Sequence, residues 1–461
     1  MHPQELKEKL TYIQDGYIRS TLGNFGHITY GSTILGKLHY PKSNRKGCEE
    51  FTSDNFSNDP LFDDDTDMSP ILLVDRGDCP FVVKVRNIEK AGVKLAIIID
   101  NSEEATENLI MADDGRGYSI GIPSYMIRKR EGNIIKDSII NNPAKSVYIK
   151  AEIEINHPDN RVEYELWYSS ILDLDYMELK EIALYQQALG ENALFTPRIL
   201  TYSCKQCTND ETFNQCLNDG TYCPYLPKEK PGRVKVDVPQ FELLYESIRE
   251  RCIYEELVKE KNVNQNFTRW FNYALNFIDQ CVTANRFGEK CSKEVMTDLG
   301  FNFDDVMACL GLNSFHFGSP EKQGKFNKLL QADREDAANL GVILHPQISI
   351  NNMTYRGDFN GYDIFRAICS GFKEQPRVCK GDNVFEYLQD ADQQFNFTHR
   401  RTLAKVYHIV GAIILVLAVN LCALYLYRRY TKRQMNEELA DKVNSAVSQY
   451  FKLSGQDNTR D

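Results

Sequence analysis

The chain has 461 residues, a formal net charge of −11, 42% hydrophobic residues and 26% charged ones. That length and apolar content supply material for two or three domains with their own cores, which excludes a disordered protein. Charges of both signs are interspersed, so no surface is laid out to follow a phosphate backbone, and nucleic acid is excluded as a partner class.

The chain starts MHPQELKEKL, which lacks the apolar stretch of a secretory leader; beside the luminal features below, this start reads as either a mature end or a truncated gene model, the second being preferred. Residues 34–40 and 71–74 read as strands, 84–91 as a helix closed by Gly92, and 93–100 as a buried strand of β-branched residues. Between the first two strands, 58–70 is rich in acidic and breaker residues. It lacks the glycine turn and closing glutamate of a calcium loop, so it reads as a solvated connection.

A second unit opens with a strand at 162–168, a helix at 176–189 and a strand at 197–202. Cys204, Cys207, Cys216 and Cys223 follow, then a mainly helical stretch over 241–340, two strands flanking Asn351-Asn352, and a helix at 364–372. Strand–helix–strand, helical insertion, strand–strand–helix is the thioredoxin plan with an insert. His345-Pro346 falls where that plan places a cis-proline. The expected fold class is therefore an α/β ectodomain.

Residues 381–405 read as a stalk, and 406–427 contain no Asp, Glu, Lys or Arg and are long enough to cross a bilayer as a helix. Tyr407, Tyr425 and Tyr427 lie near the ends of this span, as interfacial belts require. Arg428, Arg429, Lys432 and Arg433 follow it, which directs the 428–461 tail to the cytosol. The four Asn-x-Ser/Thr acceptors, Asn55, Asn266, Asn352 and Asn396, all precede the span, as do twelve of the 13 cysteines. The expectation is a single-pass type I membrane glycoprotein with a disulfide-bonded luminal region.

Several motifs dissolve under their own requirements. A thioredoxin-fold oxidoreductase keeps its thiols at the end of the first strand, where a helix N-terminus lowers their pKa; here that position reads Ser169-Ser170-Ile171. Cys204 and Cys207 follow the second strand instead, crowded by other cysteines, and read as structural disulfides. Gly117-Tyr118-Ser119-Ile120-Gly121 matches an esterase elbow, but Ile122-Pro123 begins an extended segment where the elbow needs a helix. No His-Glu-x-x-His is present, and neither a catalytic residue nor a metal site is expected. In the tail, Tyr450 and Leu453 fit the Tyr-x-x-apolar signal read by clathrin adaptors.

Taken together, LGNFG (22–26), YPKSNRKGC (40–48), LLVDRGDCPF (72–81), KAGVKLAIIIDN, IPSYMI, VEYELW, FTPRILTY, INNMTYRG (350–357) and AICSGF (367–372) resemble the plant vacuolar sorting receptors. The resemblance implies a protease-associated domain over 20–150 that binds the sorting peptide of soluble cargo, and a thioredoxin-like domain with a helical insertion over 160–380. Carried over by position, the cargo-binding residues are Arg76, Gly77, Asp78, Cys79, Phe81, Met111, Ala112, Asp113 and Asp114, with Cys48 paired to Cys79. Plant members place epidermal-growth-factor repeats, one of them calcium-binding, before the membrane, where this chain has only a stalk, so no cofactor is expected.

The function implied is a vacuolar or lysosomal sorting receptor of Golgi, endosomal or prevacuolar membranes, with soluble cargo and a clathrin adaptor as partners and no enzymatic activity. The alternative is a luminal oxidoreductase or chaperone; a membrane-bound ubiquitin ligase is excluded, because the tail has no Cys or His for a RING. A pH response is expected from Asp113 and Asp114, adjacent carboxylates that raise one another's pKa, with His27 as helper.

Overall fold

The structure is a computed structural model that describes residues 4–10, 17–56, 60–61, 68–103, 109–204, 206, 215–226, 236–260, 263–313, 327–380 and 399–454. Aspartates 63–65, Cys207 and Asn396, and the side chains of Asn266, Tyr450 and Leu453, lie outside that description. The chain divides into two units, 1–395 and 396–461.

The first half forms a six-stranded sheet from β1 (Ser20–Leu22), β2 (Ser32–His39), β3 (Ser69–Asp75), β4 (Leu95–Ile99), β5 (Ser124–Ile127) and β6 (Val147–Ile153), in the order β1-β5-β4-β3-β2-β6. Strands β2 to β5 run parallel, and β1 and β6 add antiparallel edges. Helices α2 (Phe81–Lys90) and α3 (Lys129–Asn141) flank it, and a short α1 (Gln4–Lys9) precedes it. Leu72 and Val74 face one core with Val82, Val85 and Ile88 of α2. Ile71 and Leu73 face the other with Ile135 of α3 and with Leu6 and Leu10. Burial on both faces is why β3 and β4 read as unbroken apolar runs rather than alternating ones. Gly36 in β2 is required by close approach, since a Cβ there would stand 2.1 Å from Ser69 O.

The second half centres on a four-stranded sheet, β7 (Val162–Tyr168), β8 (Ala193–Ile199), β11 (Gln347–Ile350) and β12 (Met353–Thr354), ordered β12-β11-β7-β8. Helix α4 (Tyr176–Leu189) crosses from β7 to the parallel β8, and α10 (Gly361–Ser370) closes the unit. Among the described residues between β8 and β11 stand a two-stranded pair, β9 (Thr201–Tyr202) with β10 (Cys223–Pro224), and the helices α5 (Glu242–Lys259), α6 (Val263–Phe277), α7 (Glu289–Asp298), α8 (Phe303–Asn313) and α9 (Lys328–Leu340). This is the expected thioredoxin order, and the His345–Pro346 peptide is cis.

Several boundaries differ from the sequence reading, and three element starts shift by three or four residues. Strand β8 begins at Ala193, four residues before the expected start at Pro197, and Pro197 sits inside it. Because β8 is an edge strand, the missing N–H of Pro197 breaks no central ladder. Helix α2 starts at Phe81 rather than at residue 84, with Pro80 at its N-cap. Helix α10 starts at Gly361 rather than at 364, because the Asn360 side chain caps Asp363 N–H.

In the second unit, one helix runs His399–Ser454, and among the described residues it is the one helix long and apolar enough to span a membrane. Residues 450–453 lie in its last turn.

Candidate functional site

Two loops at one end of the six-stranded sheet carry the site residues. The first follows β3. Arg76 N–H continues the sheet by donating to Ile99 O at 2.9 Å, and its Nη1 donates to Asp100 Oδ1 at 2.7 Å. Asp100 is wholly buried while Arg76 remains 28% exposed, and the guanidinium lies 5.6 Å from the centre of the Phe81 ring. Burial pushes the Asp100 carboxyl up, but the Arg76 hydrogen bond and the N–H groups of Ser102 and Asn101 outweigh it and hold it below its ordinary range. Arg76 therefore reaches the surface with a fixed orientation, and among the described residues its guanidinium keeps N–H donors beyond the one bound to Asp100.

After Arg76 the backbone turns through Gly77 at φ 122° and Asp78 at φ 66°, both in the left-handed half of conformational space. Three devices hold that turn. The Cys48–Cys79 disulfide forms as the resemblance implied, and Lys46 Nζ meets Asp78 Oδ2 at 2.7 Å. Lys84 of α2 is fully buried and donates from Nζ to Lys46 O at 2.5 Å and Gly77 O at 2.6 Å, stapling the 46–48 and 76–79 segments. Burial lowers the Lys84 pKa to about 8, so at neutral pH the ammonium form still prevails.

The second loop spans 111–120. Met111 is buried in the α2-side core, so it contributes backbone rather than side chain: Met111 O accepts Asn24 N–H at 2.9 Å, and Ala112 bridges to Asn24. Asp113 Oδ1 accepts the N–H groups of Gly115, Arg116 and Gly117 at 2.9, 3.0 and 2.8 Å, which caps the turn Gly117–Ser119. Asp114 pairs with Arg116 at 2.5 Å. Its carboxyl is held below the ordinary range, first by the Arg116 hydrogen bond, so the expected mutual raising of Asp113 and Asp114 does not govern Asp114. Arg86 of α2 props the loop through Ser119 Oγ at 2.5 Å and Arg116 O. Ser119 thus sits on a propped turn. Beside it Tyr118 is 79% exposed, a large aromatic group that the sequence reading did not single out.

His27, expected to help the pH response, is bound across the domain boundary: its Nδ1 lies 2.8 Å from Asp363 Oδ1.

The corresponding corner of the thioredoxin-like domain is closed. At the end of β7, the N–H groups of Ser169 and Ser170 donate to Asp173 Oδ2 at 2.9 and 3.1 Å, and His345 Nδ1 lies 3.0 Å from the same oxygen. Tyr225 N–H donates to Ser169 Oγ at 2.7 Å. The disulfides Cys216–Cys223, Cys252–Cys309, Cys281–Cys291 and Cys369–Cys379 lie elsewhere, Cys204 is also bonded, and among the described residues the free cysteine is Cys422. Asn55 and Asn352 both reach the surface, Asn352 in the tight turn between β11 and β12.

Comparison with known proteins agrees with this division. Residues 34–135 match the PA domain, and residues 162–369 match the vacuolar sorting receptor thioredoxin-like domain. Vacuolar-sorting receptor 1 of Pisum sativum is 30% identical over 394 residues, covering 79% of this chain and 59% of that protein. Vacuolar-sorting receptor 3 of Arabidopsis thaliana is 28% identical over 388 residues, covering 79% of this chain and 59% of its own. The chain thus spans about three-fifths of the length of these relatives. Among solved structures, a probable DsbA oxidoreductase of Streptomyces coelicolor aligns at a TM-score of 0.28 and 13% identity, covering 48% of this chain and 94% of that one.

Proposed function

Because the chain joins a PA domain to the thioredoxin-like domain of the vacuolar sorting receptors, we propose that it is a membrane-bound sorting receptor for soluble cargo in the secretory pathway. The N-terminal side is luminal. Its PA domain takes the targeting peptide of the cargo between the 76–81 and 111–114 loops, and its tail is recognised by clathrin adaptors through Tyr450 and Leu453 for transport to a vacuole or lysosome-like compartment.

The observation that carries this reading is Arg76, held by buried Asp100 yet open to solvent, at the head of a turn fixed by a disulfide and a buried lysine. A pre-set guanidinium beside backbone N–H groups suits a peptide carboxylate or carbonyl, and little conformational entropy remains to be lost on binding. Gly77, Asp78, Cys79 and Phe81 shape one wall; Ala112, Asp113 and Asp114 form the other, with Met111 as its buried foot. No step of this function makes or breaks a covalent bond.

The test is calorimetric titration of the detergent-solubilised protein with a peptide selected on it from a random library. Arg76→Ala should weaken binding roughly thirtyfold, about 2 kcal/mol. It also strips buried Asp100 of its guanidinium, so circular dichroism must accompany the titration. A folded variant that binds as tightly as wild type would move the groove off this loop.

A further inference from the structure

Residues 23–30 form a strap between the 111–120 loop and the thioredoxin-like domain. On its PA side, Asn24 N–H donates to Met111 O at 2.9 Å and His27 N–H donates to Ile120 O at 2.8 Å, so the strap grips both ends of the loop. On its other side, Gly26 N–H donates to Asp358 Oδ1 at 2.8 Å, and Gly26 O accepts Asp358 N–H at 3.2 Å. Tyr30 Oη donates to Arg356 O at 3.0 Å and accepts Arg356 N–H at 2.8 Å, while the Tyr30 and Tyr355 rings meet at 5.5 Å. The seam is tight, since a Cβ on Gly357 would stand 3.2 Å from Gly26 O, and one on Gly26 would stand 3.0 Å from Ile120 O.

We propose that the 355–363 segment of the thioredoxin-like domain sets the conformation of the 111–120 loop through this strap, with His27 as the positioning residue whose proton state changes the grip. The proposal rests on the reading of 111–120 as a cargo loop for its biological meaning, but the mechanical coupling stands on the contacts alone.

The groups around His27 decide the direction. Asp363 sits in the first turn of α10, where its Oδ2 accepts Asn360 Nδ2–H at 2.8 Å. Asp358 feels the charges of Asp363, Asp113 and His27, and burial raises its carboxyl pKa. Arg356 packs beside Tyr30, and Tyr355 near Asp358 and Asp363. His27 is thus one imidazole facing a group of carboxylates drawn from both domains. Neutral, it offers Asp363 one hydrogen bond. As imidazolium, it makes a charge-assisted bond about twice as strong and relieves the repulsion between Asp358 and Asp363. Acid favours the imidazolium, so acidification tightens the strap and, through Met111 O and Ile120 O, the loop.

Hydrogen–deuterium exchange on the full chain in detergent micelles, at about pH 7 and pH 5.5 with intrinsic rates corrected, reads this without any ligand. Wild type should gain roughly tenfold protection in the 111–120 segment on acidification. His27→Asn keeps a donor but cannot charge; it should match wild type near pH 7 within about twofold and lose the gain at pH 5.5. Asp363→Asn should lose it too, and exposed Lys94→Gln should retain it. Identical protection profiles in wild type and His27→Asn at both pH values would overturn the coupling, and so would a general loss of protection across the sheet in His27→Asn. Because no peptide is involved, either result leaves the Arg76 titration to stand or fall by itself.

Discussion

Two corners of this molecule sit where their folds usually work, and they have met opposite fates. At the end of β3, the chain spends a disulfide, an ion pair and a buried lysine on holding a turn whose leading side chain, Arg76, stays accessible. At the end of β7, Ser169 and Ser170 are wholly buried, and one carboxylate oxygen of Asp173 collects their N–H groups and His345. The first corner is braced from behind and open in front; the second consumes its own polar groups. The contrast lies in the donors: the first corner holds a guanidinium fixed and facing solvent, whereas the second turns the Ser169 and Ser170 N–H groups inward onto one carboxylate and leaves the Ser170 hydroxyl buried.

The largest expected effect probes the bracing. Replacing Cys48 and Cys79 by serine opens a loop with a sequence separation of 31, and should cost about 3 to 4 kcal/mol of PA-domain stability, read as a lowered chemical-denaturation midpoint. A variant as stable as wild type would show the turn to be set without the bridge. Next comes the closed corner. Asp173→Ala removes the acceptor for two buried N–H groups and should cost about 2 to 3 kcal/mol in the thioredoxin-like domain while leaving peptide affinity unchanged. A loss of affinity without loss of stability would reopen that corner as a binding site.

A smaller effect concerns acid. Asp100 titrates below its ordinary range in the fold, so its contribution is fully present above the ordinary carboxylate pKa and is lost as pH falls through the depressed folded value. Asp100→Asn should therefore flatten the acid limb of the PA-domain unfolding curve, followed by tryptophan-free signals such as far-ultraviolet circular dichroism. The smallest effect is at Asp114. Its pair with Arg116 is exposed, and Asp114→Asn should leave the melting temperature within error.

Much of the fold was legible because its signals are local. The run VEYELWY and the helix after it have the expected ends, 162–168 and 176–189, since alternation, the Asp175 N-cap and Gly190 mark them within a few residues. Strand β8 starts at Ala193, four residues before the expected start at Pro197, because a proline suits the first residue of a strand and only the edge position of β8 admits one inside it. The loops of the candidate site were reached through RGDC and the acidic stretch before IPS. Their working parts were not: Arg76 to Asp100, Lys84 to Gly77 O and His27 to Asp363 join positions 24, 7 and 336 residues apart. Lys84 sits among apolar neighbours on α2 and could have been flagged there, but its partners are carbonyls, which no sequence pattern marks. Asp113 and Asp114 looked alike in sequence, whereas one caps a turn and the other meets Arg116.

The central claim, that peptide binds at the open corner and not the closed one, is tested most directly by photo-crosslinking. A library-selected peptide carrying a benzophenone, bound to the full chain in micelles and irradiated, should yield adducts mapped by mass spectrometry to 76–81 and 109–121, Tyr118 among them. Adducts concentrated at 169–173, Tyr225 or His345 instead would contradict the account.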